Sequence, residues 1–362
     1  MIAWLTRQFD AFIGAGEAAL TVPVMDGALK PNRALDDARG IRIARPDCLV
    51  RDGDGVLCSS GNEVWAINAS ELPRLAHRFA GLVTAMCAAP GGGLAVALET
   101  GELRVVGGAG NGTMLQSSSM LPLQCVTAMT FASDDTLLVC VGSRTNTIGD
   151  WRKDLLETGA SGSLWRIDLS RQSQSCLADS LAFPYGLLVE PGARSVLVSE
   201  SWRHRLLRVG IEPASRLEVV LDDLPGYPAR LDADGTAGAW LAIFAPRNQL
   251  VEFVIREPRY RDDMMRTIAP EFWIAPTLRS RGSFLEPLQG GGVRQMGKLK
   301  PWAPTRSYGL VVRLDGDLQP VSSLHSRADG SRHGTTSCML VGHRLFVASK
   351  GGNEILVHAV AK

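Results

Sequence analysis

The sequence predicts an all-β fold, a six-bladed β-propeller with four-stranded blades, and three observations carry that expectation. A weak repeat of two apolar strands joined by a Gly-, Asp- or Pro-rich turn recurs six times. A third strand follows each pair, and an edge-like fourth segment follows most of them. After the sixth copy only three strands remain before Lys362, while an unassigned strand, Gly40-IRIA, precedes the first copy.

The paired strands begin at Pro46 (PDCLVRDGDGVLCSS), Val83, Val126, Pro184, Pro228 and Gly334 (GTTSCMLVGHRLFVASK). Third strands begin at Glu63, Glu102, Ser163, His204, Tyr308 and Glu354. A four-strand unit cannot bury both faces alone, but six arranged around an axis bury them against one another. Gly40-IRIA would complete the last blade and close the ring, leaving few unpaired edges. This divides the chain into an amino-terminal segment, 1–39, and a propeller, 40–362, with no Pro/Ser linker between copies. In the first segment Ile2, Leu5, Phe9 and Phe12 share one helical face, which predicts a helix docked on the propeller side. Gly14-AGEAA resembles a nucleotide-binding glycine turn, but no preceding strand supports it.

Composition narrows the function. Apolar residues make up 45% of the chain and charged residues 21%, enough for a large core. The 38 Lys and Arg nearly balance the 37 Asp and Glu, so no basic field points to nucleic acid or an anionic membrane surface. No apolar stretch nears the roughly 20 residues needed to span a bilayer. The seven cysteines form no C-x-x-C pair and sit among apolar neighbours, which favours buried thiols over disulfides or a zinc site. With no signal-peptide pattern at Met1 to Phe12, a cytoplasmic location is the expectation.

Two copies carry extra residues between their second and third strands: 143–162 in the third and 246–307 in the fifth. Equivalent loops of a propeller leave the same face, so both are expected to overhang one end of the central channel. Long loops in compact domains are usually functional or disordered. Tyr260-RDDMMRTIAPEFW has helical spacing, and Phe284, Leu285, Trp302 and Pro304 offer apolar anchors, which together predict a partly helical lid.

The segments FPYGLLVEPGARSVLVSESWRHRLLRV (from Phe183) and LPGYPARLDADGTAGAWLAIFAPRN (from Leu224) resemble the strictosidine synthase-like branch of the gluconolactonase and senescence-marker-protein superfamily. The carboxy-terminal LHSRADGSRHGTTSCMLVGHRLFVASKGG is similar to its last blade. The resemblance implies a six-bladed propeller and, in metal-dependent members, a calcium or zinc held by a carboxylate, two asparagines and an aspartate at the starts of inner strands. The matching positions are Asp47, Thr127, Tyr185 and Ala229, of which only Asp47 keeps a charged oxygen. A hard cation wants six or more oxygens, so no metal is expected there, with calcium left open should loops supply ligands. The glutamate of amine-condensing members is matched by Thr335 or Thr336, which cannot exchange protons near neutrality.

Asp47, His333 and Arg230 are therefore the catalytic candidates, and Tyr185, Thr127, Thr335, Thr336, Trp202 and Arg247 the substrate-binding candidates. Arg230 offers bidentate hydrogen bonds to an anion, and His333 titrates near neutrality. Four of these readings have a structural alternative: Asp47 as an acceptor for backbone amides, His333 as a loop residue, Tyr185 as a space-filler, and Ser201-Trp202-Arg203-His204 as a corner as easily as a wall of the site. The leading functional expectation is a small-molecule hydrolase of lactones or esters without the usual metal. A non-catalytic binding propeller and a strictosidine synthase-type condensing enzyme are the alternatives. The expected partner is a small molecule, with no nucleic acid and no membrane, and the sequence does not fix the oligomeric state.

Overall fold

A computed structural model of the protein describes residues 22–69, 72–108, 110–211, 217–280, 283, 285–287, 294–295, 298–300 and 303–360. The helix read over Ile2 to Phe12, and the anchors Phe284 and Trp302, lie outside the described residues.

Six four-stranded antiparallel sheets surround one axis. Their innermost strands are Pro46–Asp52, Val83–Ala89, Val126–Phe131, Pro184–Val189, Gly226–Ala233 and Thr335–Val341, each packed on the next around the ring. The sixth sheet is closed by Arg39–Arg42, which pairs with Glu354–Ala359 in the register Gly40↔Leu356. The first strand of the propeller thus completes its last blade, and the ends of the ring are hydrogen-bonded together.

The middle strands are buried on both faces, as in Thr136–Val141 and Ala239–Pro246, because each blade is sandwiched between two others. Separate apolar cores fill the gaps between blades. Leu138, Cys140 and Leu164 meet Leu187, Val198 and Leu207 between the third and fourth. Val50 and Val64 meet Val83 and Val96 between the first and second. Six of the seven cysteines are buried free thiols, and Cys176 is an exposed one.

All six innermost strands share one irregularity. Each shifts register near its start: at Pro46/Leu49, Val83/Ala85, Val126/Ala128, Pro184/Gly186, Pro228/Leu231 and Thr335/Ser337. A bulge leaves residues unpaired and re-aims their side chains. The residues passed over include Asp47, Thr84, Thr127, Tyr185, Arg230 and Thr336, so six bulges ring the axis at one level.

The two insertions meet. Helix Trp151–Leu156 belongs to the first, and helices Gln249–Arg256 and Pro258–Thr267 to the second. Leu156 packs with Val254, Met264, Trp273 and Ala275 in a small core of its own. Asn248 starts the helix Gln249–Arg256 by accepting the Leu250 amide at 2.9 Å. Three details differ from the sequence reading. A helix precedes the one read from Tyr260, Leu285, expected as an anchor, is 57% exposed, and Pro304, expected as another, is exposed too. Val254, Met264 and Trp273 do the anchoring, because the partner they bury against is Leu156, a hundred residues away and invisible to local spacing.

Candidate functional site

The site is built on the ring of bulges. At a bulge the ladder is broken and a backbone carbonyl is left without its strand partner, which is costly when buried. Arg230 answers two such carbonyls: its Nε donates to Thr127 O at 3.1 Å and its Nη2 to Thr84 O at 2.9 Å. Its Nη1 donates to Asp47 Oδ1 at 2.8 Å, and its guanidinium lies 5.0 Å from the centre of the Tyr185 ring. One arginine of the fifth blade therefore ties itself to the first four across the axis.

Asp47 accepts a second cation on its other oxygen, the ammonium of Lys350 from the end of Arg344–Ser349. Burial by itself would raise the Asp47 carboxyl. Lys350 and Arg230 outweigh it and hold the group well below the usual carboxylate range. Asp47 is thus a fixed anion between two fixed cations, a poor base at neutral pH. Burial also drives the Tyr185 phenol far above its ordinary value, so it stays neutral.

The remaining inner-strand candidates hold the ring together. Thr127 Oγ1 donates to Pro184 O at 2.6 Å, Thr336 Oγ1 to Asp47 O at 3.1 Å, and Thr335 Oγ1 to Ile243 O at 2.7 Å. Each of these bonds crosses from one blade to its neighbour. His333 is buried, with Nε2 donating to Arg327 O and Nδ1 paired with Ser307 Oγ, both at 2.8 Å. Burial pushes its pKa down, and neither nitrogen is left for a substrate proton. The sequence reading placed His333 near the mouth because it precedes an inner strand; the Ser307 end of the long insertion covers it instead.

This cluster divides the channel. On one side, the inner strands frame a well of about 330 Å³ that includes Cys48, Cys87, Cys338 and Asp232, with Arg230 in its wall. On the other side, Lys350 faces Ile148, Trp151, Phe183, Tyr185, Phe244 and Leu278, which enclose only about 20 Å³. Aromatic packing is dense there: Phe183 stacks on Trp202 at 4.5 Å, and Trp151 meets Phe244 edge-on at 5.3 Å.

Beyond the Phe183–Trp202 wall lies a cleft of about 610 Å³ between the two insertions, the size of a small-molecule site. Leu155, Thr158 and Ala160 come from the first insertion, Arg247, Glu252 and Arg256 from the second, and Trp202 and His204 from the fourth blade. Trp202 Nε1 donates to the buried Asp154 Oδ1 at 2.8 Å. Arg247 bridges Asp223 at 2.6 Å and Glu252 at 3.3 Å. His204, with φ of 52°, turns its ring between Gly226 O, 3.3 Å from Nδ1, and Glu252 Oε1, 3.5 Å from Nε2. Burial lowers the His204 pKa against the opposing pull of Glu252, so the ring is neutral at pH 7. The corner Ser201 to Arg205 serves two ends. Arg203 and Arg205 hold the fully buried Glu200, while Trp202 and His204 face the cleft.

Sequence reasoning did not single out Lys350, Thr84 or Glu252, and it named His204 only within the corner Ser201-Trp202-Arg203-His204. Lys350 lies in the ASKGG segment of the last blade, but nothing local shows that its ammonium reaches Asp47, 303 positions away.

A divalent cation does not suit the inner-strand positions. The Asp47 carboxylate is already paired with two cations, Thr127 spends its hydroxyl on a neighbouring blade, and Ala229 carries no ligand atom. Among the described residues no three His, Cys, Asp or Glu converge closely enough to hold a metal ion.

Comparison with known proteins agrees with this architecture. No family model matches the chain. An adipocyte plasma membrane-associated protein of Danio rerio is 23% identical over 148 residues, 37% of this chain and 36% of that protein. The protein strictosidine synthase-like 13 of Arabidopsis thaliana is 27% identical over 172 residues, 44% of this chain and 42% of that one. The chain thus spans about two fifths of the length of these relatives. Among solved structures, a putative gluconolactonase superposes with a TM-score of 0.54 at 13% identity, covering 90% of this chain and 95% of its own. The calcium-binding protein regucalcin of Agrobacterium tumefaciens gives 0.54 at 13%, covering 90% and 96%. A luciferin-regenerating enzyme gives 0.53 at 12%, covering 88% and 92%. The homologues are strictosidine synthase-like and adipocyte plasma membrane-associated proteins, and the structural neighbours are six-bladed propellers of the gluconolactonase and regucalcin type.

Proposed function

We propose that this propeller of the lactonase-like superfamily binds a small, oxygen-rich molecule on its lidded face and hydrolyses an ester or lactone bond without a divalent cation. The observation that carries the reading is the central ion cluster. Arg230 and Lys350 set tethered positive charge against Asp47, where the resemblance places a carboxylate-bound metal. Positive charge there can stabilise a developing oxyanion, as a metal would, without exchange or loss. The name of one structural neighbour, a putative gluconolactonase, supports a reaction at a lactone carbonyl. For proton transfer the reading turns to the His204–Glu252 pair in the cleft, because the His204 ring contacts, at 3.3 and 3.5 Å, are longer than the 2.8 Å bonds that hold Asp47 to Arg230 and both nitrogens of His333.

That engagement of Asp47 and His333 also favours a second reading, in which the ligand is held and not turned over. One experiment separates them: a panel of aryl esters and sugar lactones, assayed with EDTA and with calcium. Turnover that survives EDTA and falls at least 100-fold in His204→Ala supports the hydrolase. Ligand-induced thermal stabilisation with no turnover supports the binder, and turnover abolished by EDTA and restored by calcium sinks both as stated.

A further inference from the structure

The aromatic enclosure around Lys350 has a charge imbalance. Asp47 carries one negative charge, Arg230 and Lys350 one positive charge each, and all three side chains are at most 17% exposed. One positive charge is therefore left without a counter-ion in a space walled by Trp151, Phe183, Tyr185 and Phe244. A buried, uncompensated cation is costly, and an anion brought to it recovers that cost. The ammonium has three donors, of which Asp47 takes one.

The long insertion contributes one residue to the enclosure, beside Ile148 and Trp151 of the first insertion. Leu278 lines it, and the Leu278 carbonyl lies against two backbone glycines. A Cβ at Gly351 would stand 1.8 Å from Leu278 O, and one at Gly334 would stand 2.9 Å away. The segment is pinned nearby by Thr277 N donating to Arg306 O at 2.8 Å and by the contact of Ser280 and Ser307 hydroxyls, also 2.8 Å. With Leu278 in place about 20 Å³ is left, room for one water. A guest the size of a benzene ring needs about 150 Å³, so a wall residue must move for it to enter.

We infer that the mouth beneath Leu278 is a gated site for a small aromatic carboxylate, its ring against Trp151, Phe183, Tyr185 and Phe244 and its carboxylate on Lys350. This rests on the proposed function only in placing the ligand on the same face. Aromatic walls select a planar ring by edge and face contacts. The ammonium selects an anionic over a neutral head group. The glycines at 334 and 351 let the gate seat, since any side chain at 351 collides with it.

The test is binding of benzoate and of benzyl alcohol, followed by calorimetry and by the fluorescence of Trp151 and Trp202. It uses the full chain and the Leu278→Ala, Gly351→Ala, Lys350→Met and Lys350→Arg variants, with melting curves confirming that each is folded. Leu278→Ala and Gly351→Ala are expected to bind benzoate at least tenfold more tightly than the unaltered chain, with benzyl alcohol at least tenfold weaker than benzoate. Lys350→Met, combined with Leu278→Ala, is expected to lose at least tenfold in benzoate affinity, and Lys350→Arg to retain most of it. Equal binding of benzoate and benzyl alcohol, or benzoate affinity indifferent to Lys350→Met, overturns the inference. Ester turnover that persists while benzoate fails to bind removes the carboxylate site and leaves the proposed hydrolase standing.

Discussion

Replacing Asp47 by asparagine removes the anion that holds the centre of the ring. Arg230 and Asp47 are 7% and 9% exposed at 2.8 Å, so the substitution leaves a buried guanidinium and part of an ammonium without their counter-charge. Breaking a buried pair by removing one partner costs about 3–5 kcal/mol. Here two carbonyl hydrogen bonds and the Tyr185 ring remain on Arg230, which places the expected loss at the lower end, about 3 kcal/mol. Arg230→Met should cost a similar amount by a different route, since it orphans the Thr84 and Thr127 carbonyls at about 1–3 kcal/mol each. The double variant no longer strands the guanidinium and leaves only the Lys350 ammonium without its partner, so it should be more stable than the sum of the singles by about 2 kcal/mol. Urea unfolding of the four proteins at pH 7.5 measures this cycle. The pH dependence gives a second check with a definite sign. A carboxyl held low in the folded state contributes stability that is full above the unfolded value near 4 and is lost as pH falls below it. The gap between the unaltered chain and Asp47→Asn should thus be constant above about pH 5 and shrink below about pH 4. Single losses under about 1 kcal/mol that simply add in the double variant would refute the view that this cluster ties the blades.

Other groups give predictions of opposite sign. Burial raises the Asp232 carboxyl to about 6, so its charge opposes folding above that pH and the penalty fades between pH 6 and 4. Asp232→Asn, which can still accept the Leu340 amide, should raise stability at pH 7.5 by about 2 kcal/mol and leave it unchanged near pH 4, read by urea titration at both pH values. His325 is held neutral with its pKa lowered to about 4, chiefly by burial, between the Tyr308 and Ser323 hydroxyls. A histidine lowered in the folded state costs stability as pH falls from about 6.5 towards 4, by up to about 3 kcal/mol, and His325→Asn should abolish that slope in melting curves. Adding 1 mM calcium or EDTA should move the melting temperature by less than about 1 °C, because ligand-linked stabilisation requires a site that binds.

The architecture was legible in the residues because it is periodic. Each blade repeats the same apolar strands and turns, and the surplus strand at Gly40 is paired as a closed ring demands. The places of Asp47 and Arg230 on inner strands followed from that period. Their meeting with Lys350 did not, because the partners lie 183 and 303 positions apart and approach only once six sheets close around an axis. Local sequence encodes strand, turn and burial, whereas the protonation and free valence of a polar group depend on which distant atoms surround it. His333 shows this most plainly: a solvated proton carrier by its neighbours in sequence, it becomes a buried, doubly bonded ring once Ser307 and Arg327 fold over it. The bulges are the other tertiary decision, since only pairing with the next strand reveals which residue the ladder skips and turns towards the axis.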